Sequence, residues 1–245
     1  MNKTKLRIVQ DFVDFNNNKP EGIYLHVNEE NIFLNYALIV GPKHTPYFGG
    51  FYLFEIKFPN NYPNRSPTVN FLTIDGKVRF NPNLYEGGKV CLSILGTWSG
   101  PGWKKVMTLK SVLLSIQSLL HEYPVINEPG FEETLADDET SINYNQYLTY
   151  YNYKIAIIDV VSSLYLKKKI NHVEKFKKEI LDELKKNNQT LSDNLKSYQL
   201  TLGVLDLKKF IYFIRSKITL DFLDLNILYN NMINYISEKN EFNLI

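Results

Sequence analysis

The chain is predicted to adopt an α+β fold with a long C-terminal extension, on three observations. One amphipathic segment opens it, four short apolar runs with strand chemistry follow at close intervals, and apolar stripes of helical period fill the remainder. At 245 residues there is room for a core domain, 1–150, and an all-helical extension, 151–245.

Leu6, Ile8, Val9, Phe12 and Val13 sit at helical spacing within 4–15, and the turn from Asn16 to Gly22 ends that helix. The runs Ile23–Val27, Ile32–Val40, Phe51–Phe58 and Thr68–Leu72 are each bounded by Gly, Pro or Asn clusters and read as strands. In the third run Tyr52, Phe54, Ile56 and Phe58 share one face. Short connections make consecutive strands pair antiparallel, so a four-stranded meander is expected.

From Asn60 to Trp103 no period holds, while Pro, Gly and aromatic residues are dense, as in functional loops. Thr108 is the expected N-cap of a helix whose buried stripe is Leu109, Val112, Leu113, Ile116, Leu119 and Leu120. A second loop, Val125 to Glu133, follows. Helical stripes then run through Ile155, Ile158, Val161 and Leu164, and through Val173, Phe176, Ile180, Leu181 and Leu184. Two more pass through Leu207, Phe210, Ile211 and Ile214, and through Leu225, Leu228, Met232 and Ile236. The polar stretch Lys185–Ser197 reads as a surface loop.

The hydrophobic fraction of 44% and charged fraction of 22% are those of a globular protein. A net charge of +2 gives no general affinity for nucleic acid or anionic lipid. The amino terminus lacks an apolar signal core, and no stretch approaches the roughly 20 apolar residues that cross a membrane. The single cysteine, Cys91, suits a reducing compartment, cytoplasm or nucleus.

One thiol makes neither an intrachain disulfide nor, alone, a zinc site, and no metal is expected. Cys91 lies in the run Val90-Cys91-Leu92-Ser93-Ile94-Leu95, where a cysteine is commonly a small buried hydrophobe. The turn at Gly87-Gly88 places it near a loop, where a thiol is exposed and can act as a nucleophile. None of His26, His44, His121 and His172 is near it in sequence, and His121 reads as a packing or capping residue.

The stretch Phe80 to Phe131 resembles the active-site region of ubiquitin-conjugating enzymes. In that family a His-Pro-Asn tripeptide precedes the reactive cysteine, with eight residues from its Asn to the Cys. Here Asn81-Pro82-Asn83 stands in its place, and Asn83 to Cys91 is the same spacing. The opening helix, the meander, the Tyr62-Pro63 turn and the helix after Trp103 follow the family's order over about residues 1–150. The wording around Phe80–Tyr85, Lys89–Trp98 and Asn127–Glu132 is similar to a divergent subgroup of large members.

The resemblance implies acyl transfer through a thioester. Cys91 would accept the C-terminal glycyl group of ubiquitin, or of a ubiquitin-like modifier, from an activating enzyme, and a lysine amine or ligase thiol would then take it. Sulfur is nucleophilic even when only about a few per cent ionised, and it leaves readily, so no adjacent histidine is required. No cofactor is implied, since ATP is consumed by the activating enzyme. By the same resemblance Asn83 would face the oxyanion or hold the loop in shape, and a loop Asn bonding its own backbone is the plain alternative. Asn81, Pro82 and Tyr85 would support the active-site loop. Glu128 and Asn127, with Glu132 further off, are the counterparts of the residue that orients the incoming lysine, or are ordinary loop residues.

The implied partners are the modifier, the activating enzyme, a protein substrate and a ligase. Lys5 and Arg7, with Lys3, would face the activating enzyme, or form a solvated basic face. Asn64 and Lys105-Val106 occupy positions where ring-type ligases dock on an aromatic and a Pro-Ala pair, so such docking should be weak. Three readings compete: a conjugating enzyme, a catalytically inactive binding module of the same fold, and a cysteine hydrolase with a histidine at the thiol. The C-terminal stripes would pack on the core, restrict access to Cys91, or select partners.

Overall fold

A computed structural model describes residues 3–166, 170–208, 210–214 and 217–239. Helix α1 (Lys3–Asn17) leads into strands β1 (Ile23–His26), β2 (Leu34–Val40), β3 (Phe51–Lys57) and β4 (Thr68–Phe71). They form one sheet in the order β1-β2-β3-β4, antiparallel throughout. Helix α2 (Leu109–Gln117) starts at Thr108, whose side chain and that of Ser111 cap one another's backbone. Helix α3 (Glu139–Tyr151) continues through a π-helical stretch, Asn152–Asp159, into α4 (Val160–Ser163), so one helical rod crosses residue 150. The extension ends with α5 (Lys177–Thr201), strands β5 (Val204–Leu207) and β6 (Ile218–Asp221), and α6 (Phe222–Glu238). No helix among the described residues is long and apolar enough to cross a membrane.

Buried Asp11 joins α1 to α2. Its carboxylate accepts the Leu109 backbone N–H at 2.9 Å, the Tyr62 hydroxyl, and the Arg7 Nε at 2.8 Å. A carboxylate at the N-terminal turn of α2 also meets the positive end of that helix. Of the stripe expected on α1, Ile8 and Phe12 are buried, but Leu6, Val9 and Val13 are 49%, 38% and 45% exposed. The inward line runs instead through Ile8, Asp11, Phe12 and Phe15.

The sheet is buried on both faces over β2 and β3, so Phe51 and Leu53 are as enclosed as Tyr52 and Phe54. The extension provides the second cover. Tyr24 donates to Glu183 Oε1 at 2.7 Å, His26 packs on Phe176, and Tyr36 lies against His172 with ring centres 4.5 Å apart. A second tie is Asn152, whose Oδ1 accepts the Tyr52 hydroxyl at 2.6 Å and whose Nδ2 donates to the Phe48 carbonyl at 2.9 Å.

The extension is helical with one departure. The run through Leu207, Phe210, Ile211 and Ile214 is not a helix: Leu207 ends β5, which pairs antiparallel with β6, and 210–214 lie in the connection between the two strands. Gly203, at φ 55°, terminates α5, and Asp221 caps α6 by accepting the N–H groups of Leu223 and Asp224 at 3.0 Å. Lys185–Ser197 is not a loop but the middle of α5, anchored by buried Leu184, Asn187, Leu191 and Leu195.

Candidate active site

The loop from Phe80 to Cys91 folds back on itself, with bridges pairing Asn81 to Leu84 and Leu84 to Val90. Gly88 makes the return possible. It has φ 89°, its carbonyl accepts the Phe71 N–H at 2.8 Å, and a Cβ there would stand 2.7 Å from the Phe71 carbonyl oxygen.

Asn81 is fully buried and both its side-chain polar atoms are used. Its Nδ2 donates to the Leu119 carbonyl at 2.9 Å and to the Tyr47 hydroxyl at 3.2 Å. Its Oδ1 accepts the Asn83 N–H at 2.9 Å and Asn127 Nδ2 at 3.4 Å. Tyr47 donates in turn to the Phe80 carbonyl at 2.8 Å, and burial pushes its phenol far up. Asn83 Nδ2 donates to the Cys91 carbonyl at 2.6 Å, and the Cys91 N–H returns to the Asn83 carbonyl at 2.9 Å. On the far side Thr97 Oγ1 donates to the Val90 carbonyl at 2.7 Å and accepts the Leu92 N–H at 2.9 Å. The cysteine backbone is thus clamped from both sides.

Cys91 itself is 1% exposed, so the turn at Gly87-Gly88 does not bring the thiol to the surface. The Tyr85 phenol, in the same loop, is raised first by burial, against a lowering by the Arg79 charge. No hydrogen bond joins a histidine to Cys91 among the described residues. His26 and His172 are on the outer sheet face, and His121 Nδ1 accepts the Tyr123 N–H at 3.2 Å in the turn after α2.

Next to this loop is a buried cation that the sequence reading passed over. Arg79 is 7% exposed. Its Nε donates to the Pro82 carbonyl at 3.2 Å, and Nη2 donates to the same oxygen. Its guanidinium lies 3.9 Å from the Tyr85 ring centre and 4.4 Å from that of Phe213, and Nη2 is 3.5 Å from Glu128 Oε2. Glu128 is 3% exposed. Tyr212 donates to its Oε1 at 2.6 Å, and its Oε2 has no hydrogen-bond partner. Glu132 instead accepts the Gly130 N–H at the surface.

The structure therefore brings Asn81, Pro82, Asn83, Tyr85, Cys91, Asn127 and Glu128 together and adds Arg79, Thr97, Tyr212 and Phe213. Arg79 had a local signal, a lone charge between Val78 and Phe80 whose burial demands a partner. Tyr212 and Phe213 arrive through the tertiary fold and had none. Lys5, Asn64 and Lys105 are exposed and apart from this cluster. Arg7 is engaged within the chain, donating to the Lys105 and Met107 carbonyls at 2.9 and 2.6 Å as well as to Asp11.

Residues 7–153 match the family model described as ubiquitin-conjugating enzyme, and the chain belongs to that family. It is 43% identical over 157 residues to human ubiquitin-conjugating enzyme E2 Z, covering 64% of this chain and 44% of that protein. The Xenopus tropicalis enzyme of that name is 42% identical over 161 residues, covering 65% of this chain and 51% of that one. A probable ubiquitin-conjugating enzyme of Acanthamoeba polyphaga mimivirus is 38% identical over 203 residues, covering 75% of this chain and 14% of its own length. The chain spans about half the length of the two E2 Z relatives. It is thus a divergent member resembling enzyme Z.

Proposed function

We propose that this chain carries ubiquitin, or a ubiquitin-like modifier, as a thioester on Cys91 and passes it to an amine or a ligase thiol. The observation that carries this reading is the reciprocal clamp of Asn83 and Cys91 inside a loop whose spacing is the family's, with no histidine bonded to the thiol. A cysteine hydrolase would need such a histidine. The intact cysteine and Asn83 speak against an inactive binding module.

In the first step the Cys91 thiolate attacks the thioester that holds the modifier's C-terminal glycine on the activating enzyme, a new C–S bond forms, and the activating enzyme's cysteine leaves as its thiolate. In the second, a lysine Nζ attacks the thioester carbonyl carbon, the C–S bond breaks, and the amine proton passes to a nearby acceptor. Negative charge on the carbonyl oxygen would be met by the Asn83 amide, whose second N–H is not needed for the Cys91 carbonyl. Glu128, whose Oε2 accepts no hydrogen bond and faces Arg79 at 3.5 Å, is the acceptor we assign. Because Cys91 is enclosed, charging requires the side chains around the sulfur to open a path to it. ATP serves the activating enzyme, and this chain uses no cofactor. The unpaired thiol supports a reading of work in cytoplasm or nucleus. Lys5 on α1 offers a contact for the activating enzyme. Asn64 and Lys105 give ring-type ligases no aromatic anchor, so that docking is weak.

The test is incubation with activating enzyme, ATP and ubiquitin. A thiol-sensitive adduct should form on the wild type, become a thiol-resistant ester in Cys91→Ser, and disappear in Cys91→Ala. An adduct that persists in Cys91→Ala, or none on the wild type across a panel of modifiers, would refute the reading.

A further inference from the structure

We infer that Tyr212, from the β5–β6 connection of the C-terminal extension, is a positioning residue for amine attack because it holds Glu128 in place. The inference rests on the functional reading above and extends it to a part of the chain outside residues 7–153 that match the family model.

Glu128 is almost wholly buried yet has only one hydrogen bond, the 2.6 Å contact from the Tyr212 hydroxyl to Oε1. Its Oε2 is without a hydrogen-bond partner and stands 3.5 Å from Arg79. A buried carboxylate oxygen left unbonded is costly unless something uses it. Arg79 already pairs with Oε2 across 3.5 Å, and the Tyr212 hydroxyl fixes the other oxygen and with it the orientation of the carboxylate. Phe213 completes the arrangement, its ring centre 4.4 Å from the same guanidinium that lies 3.9 Å from Tyr85 and donates to the Pro82 carbonyl. Tyr85, which stacks on the same guanidinium, belongs to the loop that carries Asn83 and Cys91. The extension thus supplies two adjacent side chains to the catalytic centre, one setting the carboxylate and one setting the cation beside it.

When the lysine Nζ attacks, the new N–C bond forms as the C–S bond breaks. The electron pair leaves on Cys91, and the amine proton goes to Glu128 Oε2. Tyr212 acts on the last of these alone. Its effect should appear in discharge and not in charging, where no amine is present.

Tyr212→Phe removes one oxygen from a side chain that is 59% exposed, so folding is preserved. Pre-charged protein is mixed with free lysine over a range of concentrations. The variant's maximal discharge rate should fall about tenfold, the loss expected for one hydrogen bond to a charged acceptor, with half-saturating lysine unchanged. Charging should be unaffected, and in a Glu128→Gln background the same change should cost nothing more. Equal slowing of charging and discharge, a further tenfold loss in that background, or no effect on discharge would each overturn the inference and leave the thioester reading standing. A wild type that never charges would overturn both.

Discussion

The Asn83 side-chain amide donates to the Cys91 carbonyl at 2.6 Å while the Cys91 N–H donates back to the Asn83 carbonyl. This reciprocal pair lets one asparagine shape the cysteine's backbone and keep an N–H free for the reaction. Asn83→Ala should slow discharge to lysine about 10²–10³-fold, the worth of one oxyanion donor. Charging should slow less, as measured by single-turnover gels of both steps. Equal slowing would assign Asn83 to loop shape alone.

Asn81 occupies a position where relatives of the wider family carry histidine, and its amide bridges the Leu119 carbonyl and the Asn83 N–H. Asn81→Ala orphans both inside the core, at about 1–3 kcal/mol for each group left unpaired. Hydrogen exchange should speed up at the Asn83 and Cys91 amides, with little change in the sheet.

Asp11 gathers a helix N-terminus, a phenol and a guanidinium around one buried carboxylate. Asp11→Ala strands the buried Leu109 N–H and Tyr62 hydroxyl and leaves Arg7 only its bonds to the Lys105 and Met107 carbonyls, and about 3–5 kcal/mol of stability should be lost. A urea titration should show a lower midpoint with an unchanged slope.

His26 sits between the sheet and the extension, and burial first, then Lys175, holds its imidazole below the usual histidine value, against Glu179, Glu174 and Glu29. Between that lowered value and about 6.5 the unfolded chain binds more protons than the folded one, so stability rises with pH through this window. The contribution is present above about pH 6.5 and is lost as pH falls. Melting temperatures at about pH 7.5 and about pH 5.5 should differ less in His26→Phe than in the wild type.

Where local chemistry decides structure, the sequence was readable. Gly and Asn clusters bound the four strands, Thr108 caps α2, and the eight-residue interval from Asn83 to Cys91 marks the active loop. Where a distant segment decides, it was not. Leu53 and Leu38 are fully buried on the face that the extension covers, and that extension begins about 100 residues later, which erases the alternation expected of a half-exposed sheet. Asn, Gln and Ser hid α5 between Lys185 and Ser197, although Leu184, Leu191 and Leu195 kept a helical stripe that a stricter count of period would have found. The hairpin was missed because Leu207, Phe210, Ile211 and Ile214 happen to fall at helical intervals across a strand end and a turn. Tyr212 could not be linked to Glu128 by spacing, since 84 residues separate them.

The aromatic cover over β1 and β2 has a practical corollary. A fragment cut after Ser163 would strip the rings of Tyr24 and Tyr36 of their partners and bare the leucines beneath them. Such a fragment would offer a sticky sheet surface to its neighbours and clump. The conjugating core of this protein is therefore best handled with its tail attached, because here the appendage serves as the missing wall of the house.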